Sequence, residues 1–299
     1  MQSLQMKSQV SQNQVFVKKK SKLVENFKRF IVTQPIGTIS AAFILLVVLV
    51  ALFAPIIVPY DPVAQNRDAF LAAPSAQHIM GTDDLGRDVF SRIVHGSRIS
   101  LLVGFTSVLF SMIFGIVIGV ISGYFGGFVD MVLQRLMDAV MAIPALILAL
   151  FIAALLGPAI ENVIIALVVI ETPRFARIVR SEMLRIRETN YVEASRSVGS
   201  SVIRIITRHA IPNMGAPIIV LASLAFGQSI IAEASLSFLG IGTPPPHPSW
   251  GLMLSGASRF MENAPWLVLF PGLALALCVL AFNLLGDAIR DFLDPKLSS

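Results

Sequence analysis

The sequence predicts an all-α polytopic membrane protein with about six transmembrane helices. Three observations carry that expectation. Hydrophobic residues make up 55% of the chain and charged residues only 14%, with a mean hydropathy of +0.78. A soluble domain carries about a quarter charged residues, and so few could not cover its surface. The apolar residues gather into runs long enough to cross a bilayer core of about 30 Å. The charges fall between these runs: Lys at 7, 18, 19, 20, 22 and 28 and then only at 296, and Arg clustered from 174 to 208.

Residues 1–30 read as a polar, basic arm. The run Ile36–Val58 carries no charge and starts too late, and is too long, for the core of a signal peptide, so it is the first span. The polar stretch 59–98 follows, and residues 31–97 form a first transmembrane helix with an extracytoplasmic loop. Ile99–Ser122 is the second span. Its glycines at 115, 119 and 123 share one helix face, where a neighbouring backbone can come close. A short loop with Asp130, Arg135 and Asp138 leads to a third span at Ala139–Leu156, kinked by Pro144. Gly157-Pro158 is a turn, and the fourth span runs from Ala159 to Pro173 with Glu161 and Glu171 near its ends. Met214–Ala232 is the fifth span and Pro265–Gly286 the sixth. Between them lies a loop rich in Gly and Pro that holds Trp250; this residue and Trp266 are expected as interface anchors. Residues 98–287 form the transmembrane core and 288–299 a short charged tail.

Orientation follows from the basic residues. Six spans put both termini on one side, together with Arg135 and the 174–213 segment. That side then holds 18 of the 23 Lys and Arg, and the other side holds Arg67, Arg87, Arg92, Arg98 and Arg259. The positive-inside rule makes the richer side cytoplasmic.

Several function classes drop out. A phosphate-binding loop of the form G-x-x-x-x-G-K-[ST] needs a lysine, and none occurs between 28 and 296. The chain is therefore expected to bind no cofactor of its own. The four histidines, His78, His95, His209 and His247, all lie outside the spans, and no H-E-x-x-H occurs, so zinc proteolysis and histidine-activated intramembrane hydrolysis are disfavoured. Basic residues without aromatic interleaving in a polar domain argue against nucleic acid. Cys278, the single cysteine, sits in an apolar run and makes no intrachain disulfide.

Segment 174–213 is the part with a mechanical reading. Phe175, Val179, Met183 and Ile186 continue the helix of span four; a second short helix covers Asn190–Val198; Gly199 provides a break where a left-handed backbone is allowed; Val202–Ala210 leads to Pro212 at the entry to span five. Such a helix–break–helix is a lever that a partner could grip. The residues alone are equally compatible with a solvated amphipathic loop resting its arginines on lipid phosphates.

The same stretch resembles the signature of bacterial ABC importer permeases, E-A-A-x3-G-x9-I-x-L-P. Glu193-Ala194-Ser195 stands first, Gly199 falls six residues after Glu193, and Pro212 closes the motif. Ser195 replaces the second alanine, His209 the usual isoleucine, and Ile211 the leucine. Arg208 to Asn213 is similar to the peptide and nickel subfamily. The run Gly81-Thr82-Asp83-Asp84-Leu85-Gly86-Arg87-Asp88 resembles the segment before the second span in the second permease subunit of dipeptide and oligopeptide importers. Pro248-Ser249-Trp250-Gly251 and Asn283-Leu284-Leu285-Gly286-Asp287 resemble that subunit near its end.

The resemblance implies a type I ABC importer permease in the bacterial inner membrane, with no catalytic residue. It implies a heterodimer with a homologous second permease, two cytoplasmic ATPase subunits that hold ATP and Mg, and an extracytoplasmic substrate-binding protein. Tyr191, Glu193, Ala194, Ser195, Gly199, His209 and Pro212 would couple to the ATPase. Asp83, Asp84, Arg87 and Asp88 read as an ion-pair cluster facing the binding protein, and Glu233 as a pore-facing residue. The cargo would be di- or oligopeptides, or alternatively a nickel or metal chelate. From another class, a membrane scaffold or intramembrane enzyme would use 174–213 to recruit a soluble partner.

Overall fold

The computed structural model describes Glu25 and residues 28–293. Most of the basic arm, with Lys7, Lys18, Lys19, Lys20 and Lys22, and the last residues, with Lys296, lie outside the described residues.

Helix α1, Pro35–Leu52, starts on a proline at its first turn, where the missing N–H costs nothing. It buries only Gly37, Ser40 and Ala51, and Ile36, Ile39, Leu45, Leu46, Leu49 and Leu52 are left exposed as a side for lipid. Helix α2, Val89–Phe125, begins well before the expected span because Asp88 caps it: its Oδ2 accepts the Ser91 N–H at 2.8 Å and the Ser91 hydroxyl at 2.7 Å.

Next come α3, Gly127–Met141, and α4, Ala145–Leu156, which meet at 89°. Two expectations need revision here. The residues read as a loop around Asp130, Arg135 and Asp138 are helical, because Phe128, Met131, Val132 and Leu136 alternate with Asp130, Gln134 and Asp138 at helical spacing. Pro144 does more than kink the third span. Lacking an N–H, it interrupts the ladder, and the chain turns through a right angle.

Helix α5, Ile160–Arg187, runs unbroken through Pro173, so the fourth span and its extension are one helix. Helix α6, Asn190–Ser197, follows; then a short turn, a π-helical segment Ile206–Ala210 and another turn lead to α7, Gly215–Phe238. Helix α8, Trp250–Ala257, lies in the last long connection, and α9, Trp266–Leu293, ends the described chain. Residues 288–293, expected as tail, continue α9.

By length and apolarity α1, α2, α7 and α9 can each cross a membrane, and α3–α4 adds a fifth crossing if the bent pair is one broken span. The remaining expected span, the N-terminal half of α5, holds Glu161 and Glu171. One face of it is shielded: Val163, Ala166 and Leu167 are buried against Val103, Ala149, Ala153 and Leu236 of α2, α4 and α7, while Ile165 and Val169 on the other face stay exposed. Glu161 stands exposed in its first turn, and Glu171 is half-buried.

The glycine face of α2 packs directly on α5. A Cβ at Gly115 would lie 2.3 Å from Phe175 Cβ, one at Gly119 would lie 2.5 Å from the Ala176 carbonyl oxygen, and one at Gly123 2.8 Å from Met183 Cβ. The two backbones are in contact along this stripe, the arrangement that small residues allow between membrane helices.

Candidate functional site

The end of the bundle that carries residues 174–213 presents α6. Its buried residue is Val192, which enters a cluster with Val120 of α2, Val179, Met183 and Ile186 of α5, and Ile205, Ala210, Met214 and Ile218 beyond. Tyr191, Glu193, Ala194, Arg196, Ser197 and Val198 are exposed and Ser195 is half-buried. A two-turn helix held by one apolar foot leaves most of its surface free. Glu193 makes no salt bridge among the described residues.

Gly199 ends this helix with φ +75°. Its N–H donates to the Arg196 carbonyl at 2.9 Å, and the Ser200 N–H donates to the Ser195 carbonyl at 3.1 Å. These two bonds make a Schellman cap, which needs a left-handed residue at this position. The chain then turns back, and the rings of Tyr191 and His209 come together at 5.9 Å between centroids. The His209 carbonyl accepts from Asn213 Nδ2 at 2.6 Å, one turn on, where exposed Pro212 stands at the approach to α7. The structure thus brings Tyr191, before the turn, against His209, after it.

Arginines of α5 and α6 tie this end of the bundle together, and sequence reasoning did not find how. Arg180 of α5 meets Asp130 of α3 in a two-pronged pair, Nε to Oδ1 at 2.5 Å and Nη2 to Oδ2 at 2.6 Å. The Ser122 hydroxyl of α2 also donates to Asp130, and Gln134 Nε2 donates to Ser122 at 2.9 Å. Arg177 reaches Asp138 at 3.0 Å. Arg187 Nη1 donates to the Gly123 carbonyl at 3.1 Å, complementing the negative end of α2. Arg196 of α6 lies over the Tyr124 ring at 5.1 Å.

At the opposite end of α2, Asp83 is the centre of the expected ion-pair cluster. Its Oδ1 accepts the Leu85 and Arg87 N–H groups, both at 2.9 Å, and its Oδ2 faces Arg87 Nε at 2.7 Å and Arg92 Nε at 3.4 Å. Asp84 stands farther off, 3.8 Å from Arg87. Asp88 is buried as the α2 cap and meets His78 Nδ1 at 2.9 Å. These groups shape the connection 59–98. Asp83, Asp84, Arg87 and Arg92 also border a cavity of about 400 Å³ with Arg259, Pro245 and Pro246.

Glu233 does not face a pore within this chain. It is 1% exposed, and its carboxylate accepts from Ser100 at 3.0 Å and Ser237 at 2.7 Å, which links α2 to α7. Ser237 Oγ in turn accepts the Thr243 N–H at 3.2 Å and so holds the following loop. Trp250 differs from expectation too. It is 2% exposed, packs near Ile230, Cys278 and Val279, and donates from Nε1 to the Ile93 carbonyl at 3.1 Å. An indole with a buried protein acceptor has no need of the headgroup layer. Trp266, half-buried, donates to the Thr82 carbonyl at 3.2 Å.

This bundle has the fold of ABC importer permeases. An inward-facing structure of the MetNI methionine ABC transporter superposes with a TM-score of 0.58, over 69% of this chain and 98% of that one, at 20% sequence identity. The chain belongs to the family of binding-protein-dependent transport system inner membrane components, whose model matches residues 115–299. A second model, the N-terminal transmembrane domain of oligopeptide transport permease C, matches residues 26–74. Among curated proteins, the dipeptide transport system permease protein DppC of Alkalihalophilus pseudofirmus is 44% identical over 84% of this chain and 83% of its own. DppC of Escherichia coli K12 is 46% identical over 87% of this chain and 89% of its own. The chain is thus a multi-pass inner-membrane permease subunit with no catalytic role, working with ATPase and substrate-binding partners.

Proposed function

We propose that this chain pairs with a homologous second permease to form the pore of an ATP-driven importer of di- or oligopeptides. Both termini and segment 174–213 face the cytoplasm. Tyr191, Glu193, Ala194, Ser195 and Gly199, with His209 and Pro212 behind them, receive the ATPase, and Glu193 supplies the charged contact. The connections 59–98 and 234–264 face the binding protein on the other side, with Asp83, Asp84, Arg87 and Asp88 shaping the first of them. Residues 1–30 form a cytoplasmic arm, 31–97 the first helix and outer loop, and 98–287 the working core. Closure of the ATPase pair draws the two permeases' α6 helices together and reopens the pore outward, because the two states make different contacts with the motor.

The observation that carries this reading is α6 itself: a short helix with one buried foot, an exposed carboxylate and a fixed turn behind it. The peptide cargo is supported by the names of the relatives at 44% and 46% identity. The test is uptake of a labelled dipeptide into proteoliposomes holding the two permeases and two ATPases, with binding protein added outside. Uptake is expected only with both ATP and binding protein. ATP-driven uptake of a metal chelate with none of any dipeptide would reverse the cargo assignment.

A further inference from the structure

Helix α3 buries none of its residues, and Phe128, Met131 and Leu136 are more than half exposed. Its apolar side therefore does little to hold it to the rest of this chain. What holds it is polar. Asp130, Gln134 and Asp138 recur every four residues, one stripe along the helix, and their partners are Arg180, Ser122 and Arg177.

The other side of this contact is rigid. Helices α2 and α5 touch backbone to backbone along the glycine stripe, and α6 plants Val192 in the cluster that both of them line. Helices α2, α5 and α6 thus form one block. Helix α3 joins this block through the stripe on one side and joins α4 across the right-angled break at Pro144 on the other. The Asp130–Arg180 pair is the strongest link. It is two-pronged, its side chains are 17% and 31% exposed, and the fork geometry fixes direction as well as distance.

We propose that Asp130 and Arg180 are positioning residues for transport: they make α3 travel with the α2–α5–α6 block, so that movement entering at α6 reaches the bent third span. The inference rests on the coupling role of α6 given above.

The readout is dipeptide transported per ATP hydrolysed by the complete transporter in proteoliposomes. Asp130→Asn and Arg180→Gln are each expected to lower this ratio roughly tenfold, the scale of a lost coupling contact, with the amount of assembled transporter unchanged. A double variant, Asp130→Cys with Arg180→Cys, should be equally low. It should recover most of the wild-type ratio when a short bifunctional maleimide bridges the two thiols, because bridging restores the joint. A merely structural role would not be rescued in this way. Wild-type ratios in the two single variants would overturn the proposal, and so would a bridged protein that stays as low as the unbridged one. Gly199→Pro run alongside separates the two readings: if that variant couples normally, the role of α6 fails, whatever the Asp130 variants do.

Discussion

Gly199→Pro is expected to reduce ATP-driven uptake to background while leaving the chain in the membrane. Proline holds φ near −65°, and this position stands at +75°. Proline also lacks the N–H that Gly199 donates to Arg196. Both elements of the cap are lost, at a local cost of about 3 kcal/mol or more, which corresponds to roughly a hundredfold loss in the population of the docking geometry. The damage is confined, because nothing lies within 4 Å of the position where a Gly199 Cβ would be. Gly199→Ala keeps the N–H and suffers only the left-handed strain of about 1–2 kcal/mol per residue, so its uptake should fall between the two. Uptake by reconstituted transporter, normalised to the amount of chain in the vesicles, checks the order wild type, Ala, Pro. Wild-type uptake by the proline variant would count against α6 as the point of coupling.

Gly119→Leu is expected to do the opposite kind of damage, removing the folded protein rather than uncoupling it. Even a Cβ here would stand 2.5 Å from the Ala176 carbonyl oxygen, 2.7 Å from Val179 Cβ and 2.9 Å from the Arg180 N. Two of these are backbone atoms of α5 and cannot swing aside, so the helices must part. Overpacking in a tight core costs about 1–3 kcal/mol, and here the separation also loosens Gly115 and Gly123, which share the stripe. The amount of chain surviving detergent extraction should fall severalfold, and the survivors should melt at lower temperature. Gly256→Ala in α8 is the control: no atom lies within 4 Å of its added Cβ, and it should behave as wild type. If Gly119→Leu were extracted and melted like wild type, the backbone contact between α2 and α5 would be wrong.

The parts of this molecule that depend on local pattern were legible in the sequence. Long uncharged runs mark α1, α2, α7 and α9, and a four-residue spacing of glycines marks a face of α2 before its partner is known. The break at Gly199 and the six residues from Glu193 to it could be read for the same reason. Features that depend on distant partners were hidden. Asp130 looks like a loop carboxylate until Arg180, 50 residues away, is beside it. Glu233 looks like a pore residue until Ser100, 133 positions earlier, donates to it. Val192 is one valine among many, and nothing in its neighbours announces that it anchors α6. Charge alone makes helix α3 read as a loop, whereas Asp130 and Asp138 lie on one face of a helix set against another. The repetition of Asp130, Gln134 and Asp138 at intervals of four was the available signal.

The most direct test of the account is to place a single reactive thiol at position 193. Cys278 is buried and will not compete. With Glu193→Cys in the assembled transporter, a short thiol-reactive crosslinker should join this chain to an ATPase subunit, with a yield that changes between the nucleotide-free and ATP-bound states. A membrane-impermeant thiol reagent added outside intact cells should leave the residue untouched. Labelling from outside, together with no ATPase adduct in either state, would contradict the claim that a separate motor drives this permease through α6.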